Sequence, residues 1–235
     1  MPEQFDAFAR AHTAVAPVPF VPELVLHQAA EPMGLWELTE GEYRSEQPPP
    51  FWAFAWAGGQ ALARYLLDEP DAVAGRRVLD LASGSGLVAI AAARCGAAAV
   101  RAVDVDPVAV AVVGLNAAAN AVTVTAQLAD LLDGDAGDAE VVLAGDAFYS
   151  KAMTERVTGF LRRARRAGAR VMVGDPNRPF LRRAWFQTRP AKPEHDHYDL
   201  TRAARERALA LGAIDEPWRA ATRRRRALRQ ARLAP

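Results

Sequence analysis

The chain has 235 residues, of which 51% are hydrophobic and 24% charged, and its formal net charge is +1. This length is enough for one domain with appendages that buries a full core without cross-links. The single cysteine, Cys95, excludes an internal disulfide and a thiolate metal cluster, and is expected to be a small buried hydrophobe. No leader pattern and no apolar run of roughly 20 residues is present, so we expect a cytoplasmic protein that does not span a membrane.

Charge and β-branched residues are unevenly distributed along the chain. Residues 181–235 carry 14 Lys and Arg against 6 Asp and Glu and contain no Val, whereas residues 1–180 carry 15 against 22 and contain 21 Val. Because Val favours strands, strand formation is expected to stop near Phe180. We therefore divide the chain into an N-terminal extension or lid (1–50), a core (51–180) and a divergent basic, helical tail (181–235).

The N-terminal extension combines a helical pattern with extended segments. Apolar residues at helical spacing predict a helix over Glu3–His12, and three prolines between Pro17 and Pro22 enforce an extended path. Short strands on either side of a turn are then predicted from Leu24, Leu26, Leu35, Trp36 and Leu38, with the turn at Pro32 and Gly34.

The stretch F-W-A-F-A-W-A-G-G, from Phe51 to Gly59, is the densest aromatic cluster of the sequence. One interpretation is that it anchors a helix that runs from about Gly59 to Leu67. The other is that it forms a wall for a planar or cationic ligand, since aromatic faces attract cations. The two interpretations are compatible.

Strands and helices alternate through the core. Strands are predicted over 78–80, 100–105, 122–128, 141–144 and 171–174, and helices over 87–95, 108–119 and 153–164. This order predicts an α/β fold with a Rossmann-like, doubly wound, mostly parallel sheet, whose ligands bind beyond the carboxyl ends of the strands. Acids end or follow these strands, namely Asp80, Asp104, Asp130, Asp146 and Asp175.

The stretch V-L-D-L-A-S-G-S-G-L, from Val78 to Leu87, joins the first core strand to a helix. Glycines allow the sharp turn and bring free helix N–H groups close to a ligand. The spacing matches the dinucleotide fingerprint, with Asp104 about 20 residues on, which would favour NAD. Two features oppose NAD: Asp80 precedes the glycines, where it can face a cationic group, and the aromatic stretch precedes the first strand.

From about Phe5 to Phe180 the chain resembles the seven-β-strand, class I S-adenosylmethionine-dependent methyltransferases. Within them it resembles the electron transfer flavoprotein beta subunit lysine methyltransferases and their nicotinamide N-methylase-like bacterial relatives. The matching stretches are P-P-F-W-A-F-A-W-A-G-G-Q-A-L-A-R-Y-L from Pro49, V-L-D-L-A-S-G-S-G from Val78, V-D-V-D-P from Val103, A-G-D-A-F-Y from Ala144 and G-D-P-N-R from Gly174.

The resemblance implies S-adenosyl-L-methionine as cofactor and a set of residues that bind it. Gly84 and Gly86 would pass under its methionine part, and Asp80 would lie near its amino end. Asp104 would accept hydrogen bonds from the ribose hydroxyls, which are both donors. The remaining implied contacts are Asp130 beside the adenine amino group, Trp56 over the sulfonium, and Ala82 in the turn. Many relatives have glycine in place of Ala82, a change expected to be tolerated if φ is negative there.

At the substrate mouth, Asp146, Phe148 and Tyr149 match the family's D-x-x-Y pattern and are the implied catalytic residues. Methyl transfer needs alignment in a dry site and no metal. Asp146 would favour a lysine ammonium, so it is expected to recruit and orient the chain, with proton loss to water. Asp106, followed by Pro107, is interpreted as a helix cap.

The resemblance implies an N-methyltransferase that acts on lysine side chains of a partner protein, of the electron transfer flavoprotein beta subunit or ribosomal type. A small-molecule N-methyltransferase of the same fold is the alternative, and an NAD-binding oxidoreductase is the alternative outside the class. The sequence does not indicate an oligomeric state. No metal site is expected, because the histidine pair His195 and His197, beside Glu194 and Asp196, is interpreted as a solvated loop.

The tail departs from the family, which continues after Phe180 into an antiparallel strand pair. Helices are predicted instead over Leu200–Leu211 and Trp218–Leu233, from apolar residues three or four apart. Three accounts stay open: a lineage-specific helical tail, a basic arm that docks nucleic acid or a ribosomal substrate, and a shifted reading frame. Nucleic acid is otherwise not an expected partner.

Overall fold

The computed structural model describes residues 2–29, 35, 49–181, 187–189 and 210–213. The helices are α1 (Pro2–His12), α2 (Ala57–Asp68), α3 (Leu87–Arg94), α4 (Pro107–Ala119) and α5 (Lys151–Arg166), with short 3₁₀ turns at Phe51–Ala53 and Pro70–Ala72. The strands are β1 (Thr13–Val18), β2 (Val21–Ala29), β3 (Arg77–Leu81), β4 (Ala99–Asp104), β5 (Thr125–Leu128), β6 (Val141–Gly145), β7 (Arg170–Asp175), β8 (Gln187–Arg189) and β9 (Ala210–Ala213).

Seven strands form one sheet in the order β5-β4-β3-β6-β7-β9-β8. The five strands β5, β4, β3, β6 and β7 are parallel, while β9 runs antiparallel to β7 and β8 antiparallel to β9. Strand order reverses between β3 and β6, so both strands feed loops to the same crevice at the carboxyl edge. The predicted α/β, mostly parallel sheet is confirmed.

Helices cover both faces of the sheet, because alternate residues of each strand point to opposite sides. Val78 and Leu143 pack with α2 and α3 on one face. Leu79 and Val142 pack with Phe160 and Leu161 of α5 on the other. Each central strand is therefore buried on both sides, which explains its nearly continuous apolar sequence.

The N-terminal segment is a helix followed by a β-hairpin of β1 and β2. Helix α1 is as predicted, but the proline-containing path is itself strand β1, which pairs with β2. Leu24 and Leu26 are in a strand as predicted, whereas Leu35 is helical. The other positions of that prediction, Pro32, Gly34, Trp36 and Leu38, lie outside the described residues.

Two asparagines on α4 join this hairpin to the core. Asn116 Oδ1 accepts the backbone N–H of His27 at 2.7 Å, and Asn116 Nδ2 donates to the carbonyl of Ser85 at 2.8 Å. Asn120 bonds both backbone groups of Val25. Buried amides are satisfied in this way, and the hairpin is attached directly to the glycine turn.

The expectation that the sheet lacks its antiparallel pair is wrong. Strands β9 and β8 close the sheet beside β7, with Gly174 opposite Leu211 in the register. The edge of β7 offers unpaired backbone N–H and C=O groups to any segment that reaches it. A segment poor in β-branched residues can therefore still pair there, which its composition did not predict. A helix over Leu200–Leu211 is wrong at its last two residues, which lie in β9. The predicted helix over Trp218–Leu233 and the cluster from Glu194 to His197 lie outside the described residues.

Within the described part of the chain, no helix has both the length and the apolar character needed to cross a bilayer.

Candidate active site

A cavity of about 380 Å³ lies at the carboxyl ends of β3, β4, β6 and β7. This volume is in the range typical of small-molecule sites. It brings together residues that the sequence analysis singled out and some that it did not; they include Phe51, Trp56, Asp80, Ala82, Gly84, Asp104, Asp106, Asp146, Tyr149 and Arg178.

The glycine turn after β3 forms the floor of this cavity. Gly84 and Gly86 both have left-handed backbones, with φ of +51° and +77°. A Cβ on Gly84 would meet nothing nearer than 3.9 Å, so the side toward the cavity is open for a ligand. A Cβ on Gly86 would lie 3.0 Å from the side chain of Val113, so Gly86 allows α4 to pack close to the turn. Gly84 lines the cavity, whereas Gly86 shapes the turn from behind.

Ala82 lies in this turn with φ of +53°. The condition under which alanine was expected to be tolerated here, a negative φ, is therefore not met. A left-handed conformation places Cβ close to the following carbonyl and costs a non-glycine residue about 1–2 kcal/mol. Ala82 also lines the cavity, so strain is stored at the point where backbone meets ligand space.

Asp80 is the most buried carboxyl of the cavity, with 1% of its surface exposed. Its Oδ2 accepts the backbone N–H of Ala89, in the first turn of α3, at 3.0 Å. Burial raises the pKa of Asp80 to about 8, and the neighbouring charge of Asp104 acts in the same direction, while the Ala89 bond opposes it. A cationic group placed beside Asp80 would favour its ionised form, so this carboxyl is suited to an ammonium ligand.

Asp104, at the end of β4, holds the turn and the next helix together. Its Oδ2 accepts from Gly84 N at 2.8 Å and its Oδ1 from Asp106 N at 3.0 Å. Burial raises the pKa of Asp104, and these backbone bonds oppose the shift. Each carboxylate oxygen can accept a second hydrogen bond, so Asp104 can still receive two hydroxyl donors of a ligand.

Asp106 caps α4, as predicted, by accepting the N–H of Val108 at 2.8 Å. It also lines the cavity, and burial raises its pKa to about 6. Three carboxyls therefore lie at this end of the cavity, and backbone N–H groups donate to each of them.

Asp130 does not line the cavity. It accepts from Leu132 N at 2.9 Å and pairs with Arg156 of α5 at 2.9 Å. These two donors lower its pKa, with the Leu132 bond the larger cause. The structure therefore does not bring Asp130 together with the other predicted cofactor residues. The position of an acid just after a strand does not show whether its carboxylate faces a ligand site or a surface arginine, and here it faces Arg156.

The aromatic segment contributes side chains both to the hydrophobic core and to the wall of the cavity. Trp52 is buried at 1% exposure against α1 and α4 and anchors the segment. Trp56 donates its Nε1–H to the carbonyl of Phe51 at 2.9 Å, and both rings line the cavity. The Phe51 ring lies 5.6 Å from that of Tyr149, so aromatic side chains form the wall between the two ends of the cavity.

At the opposite end, Asp146 follows β6 with a left-handed backbone, φ +57°. Its Oδ2 accepts the N–H of Gly59 in α2 at 2.7 Å, and its Oδ1 accepts from Arg178 Nη1. Tyr149 lines the cavity and is 46% exposed, so it borders the opening.

Phe148 does not contribute to the cavity, although it belongs to the matching D-x-x-Y pattern. Its side chain is 1% exposed and packs in the core against α5. The loop turns after β6 so that Phe148 faces the core while the next residue, Tyr149, faces the cavity. The structure therefore places Phe148 in the core, away from the cavity, and its catalytic role stays a prediction.

Sequence reasoning missed Arg178, which lines the cavity and bonds Asp146. The available signal was the stretch G-D-P-N-R from Gly174, which carried the resemblance but was given no role. Arg178 is 32 residues from Asp146 in sequence, and sequence spacing alone does not reveal such a contact.

The part of the chain that the structure describes contains no group of three or more His, Cys, Asp or Glu side chains arranged to hold a metal ion. Cys95 is half-buried and donates its thiol to the carbonyl of Leu66 at 3.1 Å.

A seven-stranded sheet in this order, with a glycine turn and acids at its carboxyl edge, defines a class I, Rossmann-like methyltransferase fold. The model of the family "Ribosomal protein L11 methyltransferase (PrmA)" matches residues 61–145. The chain belongs to the family of the electron transfer flavoprotein beta subunit lysine methyltransferases.

The relatives that show this include the enzyme of that name from Xenopus laevis, 37% identical over 177 residues, which cover 73% of this chain and 70% of the relative. The one from Rattus norvegicus is 43% identical over 132 residues, covering 55% of this chain and 52% of the relative. The chain thus spans about half the length of several of the curated relatives it matches. Among solved structures, the Thermus thermophilus 16S rRNA N2 G1207 methyltransferase is similar at 23% identity, with a TM-score of 0.43, over 57% of this chain and 40% of that one.

Proposed function

We propose that this chain is an S-adenosylmethionine-dependent N-methyltransferase that methylates lysine side chains of a partner protein. The observation that carries the proposal is the single cavity that joins the acids Asp80 and Asp104 at one end to Asp146 and Tyr149 at the other. Membership of a lysine methyltransferase family supports the same reading.

The residues of the glycine end suit this cofactor. Asp80 is a buried carboxyl that a cationic amino group would stabilise in its ionised form. Asp104 offers acceptors for two hydroxyls, and the open side of Gly84 leaves room for backbone approach. When bound, S-adenosylmethionine supplies a methyl group on a positively charged sulfur, which an amine nitrogen can take over in one displacement.

The chain's own part in the transfer is to align the amine and to exclude water. No side chain forms a covalent intermediate with the methyl group. Aromatic side chains at Phe51, Trp56 and Tyr149 cover the passage between the two ends of the cavity. Asp146 presents a carboxylate whose position is set by the N–H of Gly59, and it can orient a lysine that reaches the opening.

A protein substrate fits the names of two groups of relatives, which are methyltransferases of the electron transfer flavoprotein beta subunit and of ribosomal protein L11. Both proteins are therefore the first substrates to test. Purified protein is incubated with each of them and with cofactor that carries a tritiated methyl group, and the labelled residue is located by mass spectrometry. We expect label on a lysine; transfer to neither protein, nor to any protein of a cell lysate, would overturn the proposal.

Asp146→Asn tests the substrate end separately. The amide keeps an acceptor for Gly59 N but loses the charge that pairs with Arg178, so turnover is expected to fall at least about 100-fold while cofactor affinity stays within about threefold. Thermal-shift titration with S-adenosylmethionine, S-adenosylhomocysteine and NAD provides the control. Stabilisation by NAD alone would favour an oxidoreductase, and unchanged turnover would show that Asp146 has another role.

A further inference from the structure

Arg178 lines the cavity beside Asp146 and bonds its carboxylate. The turn after β7 places it there: Asp175 Oδ1 accepts the backbone N–H of Arg178 at 2.6 Å, and Asn177 has a left-handed φ of +68°. The guanidinium then donates from Nη1 to Asp146 Oδ1, and the same nitrogen lies 3.7 Å from Asp175 Oδ2. The side chain of Arg178 is 23% exposed, so it borders the cavity without leaving water entirely.

The two carboxyls that face this guanidinium are both well buried. The side chain of Asp146 is 9% exposed and that of Asp175 is fully buried. Among the residues that the structure describes, Asp175 Oδ2 has no hydrogen-bond partner. A buried charge that loses its partner costs several kcal/mol. The two buried carboxyls therefore hold the guanidinium more firmly than an exposed ion pair would.

This arrangement answers a difficulty in the chemistry. A lysine must lose its proton before its nitrogen can attack, and an isolated carboxylate at the opening would favour the ammonium form. A guanidinium bonded to that carboxylate cancels its charge and, being of like sign, disfavours a second cation beside it.

We propose that Arg178 is a positioning residue of the transfer site: it holds Asp146 in place and removes the bias with which Asp146 would keep a substrate lysine protonated. The inference rests on the proposed function. The lysine proton leaves to water, and Asp146 keeps its hydrogen bond from Gly59 throughout.

Other titratable groups face the same cavity and have to be considered in any pH profile. They are Asp80 from β3, Asp104 and Asp106 from β4 and its loop, and Tyr149 from the loop after β6. Asp175 of β7 is not part of the cavity lining, but its carboxyl faces Arg178. Among the residues that the structure describes, Asp146 and Asp175 are the ion-pair partners of Arg178, so a variant that keeps a cation at position 178 controls for the titration of the others.

The test is the pH dependence of kcat, measured with saturating tritiated cofactor and the electron transfer flavoprotein beta subunit or, if that protein is not labelled, ribosomal protein L11. Arg178→Gln removes the charge and keeps the length, whereas Arg178→Lys keeps the charge. We expect the acid limb of the R178Q profile to move to higher pH by about 1–2 units, the usual effect of one charge at this range, so that kcat falls about tenfold or more at pH 7 and recovers at pH 10. R178K is expected to keep the limb near its wild-type position.

Arg166→Gln, at the exposed end of α5, is the matched control for loss of one arginine and should leave the profile unchanged. If R178Q does not fold, as judged by thermal melting, the double variant D175N/R178Q removes the stranded buried carboxylate and takes its place. A uniform fall of kcat at every pH would indicate a merely structural role and overturn the inference. Wild-type protein without any transfer would instead refute the proposed function, and this inference with it.

Discussion

The two ends of the cavity are built in different ways. At the glycine end, the hydrogen bonds of Asp80, Asp104 and Asp106 reach residues that are 9, 20 and 2 positions away in sequence. At the mouth, Asp146 bonds Gly59 across 87 positions and Arg178 across 32. The glycine end is thus a local motif, whereas the mouth exists only once α2, β6 and β7 have been packed together.

The two ends also differ in charge. Backbone N–H groups donate to the carboxyls of the glycine end, and burial raises the pKa values of all three. At the mouth, a guanidinium is already bonded to Asp146. The first end is therefore prepared for a cationic ligand, and the second has its negative charge compensated before a substrate arrives.

The largest effect is expected at Asp80. Its pKa of about 8, against an ordinary value of 3.8, means that between these values the folded state holds a proton that the unfolded chain has lost. The free energy of unfolding of the ligand-free protein therefore contains a contribution that falls as pH rises from about 4 to about 8, by roughly 5 kcal/mol, and is level above. Asp80→Asn should remove this dependence and raise the melting temperature at pH 9.

The same variant should lose cofactor. An uncharged amide can still accept from Ala89 N but cannot pair with an ammonium, so calorimetry should show affinity weakened by about 10- to 100-fold. In wild-type protein at pH 7, binding should release about one proton, seen as an enthalpy that varies with the ionisation enthalpy of the buffer. Unchanged affinity in the variant would show that Asp80 serves the turn rather than the ligand.

A smaller effect is expected where α2 meets β7, at the mouth. A Cβ on Gly174 would overlap the carbonyl oxygen of Gly58 and lie 2.9 Å from Leu62 Cβ. Gly174→Ala should therefore cost about 3 kcal/mol of unfolding free energy in a urea titration. Gly159→Ala, inside α5 with its nearest contact at 3.5 Å, is the control and should gain about 0.5–1 kcal/mol. Equal effects would mean that the close approach of helix and strand carries no strain.

Ala82→Gly should stabilise the protein by about 0.5–1 kcal/mol, because the left-handed strain of alanine exceeds the entropic cost of glycine. Ala121 has φ of +54° in the loop after α4, away from the cavity, so Ala121→Gly should give a similar gain. Thermal and chemical unfolding measure both. If only Ala121→Gly raises the free energy of unfolding, the contacts around position 82, and not the residue type, set the stability of that turn.

The smallest effect is expected at Asp130. Because this carboxyl pairs with Arg156 outside the cavity, Asp130→Asn should change cofactor affinity less than about twofold. Asp133→Asn removes the other partner of Arg156 and is the matched control. A tenfold loss for Asp130→Asn alone would restore the role beside adenine that the resemblance implies.

Most of the core could be predicted from sequence because its signals are local. The strand at Val78, the cap at Asp106 and the helix after the glycines all follow from runs of a few residues. What the sequence did not reveal concerns long-range partners and backbone angles. The φ of Ala82 depends on the whole turn, and Asp130 turned toward Arg156 because α5 brought that arginine within reach.

By itself, the sequence determined the alternation of strands and helices, the glycine turn and the acids that end each strand, because hydrophobic periodicity and turn chemistry act over short segments. Only the tertiary structure decided that β8 and β9 close the sheet, that Phe148 faces the core and that Arg178 meets Asp146. These outcomes depend on which groups the packed chain brings together and removes from water. A buried charge pairs with the opposite charge that lies within reach, and an unpaired strand edge pairs with the segment that lies beside it.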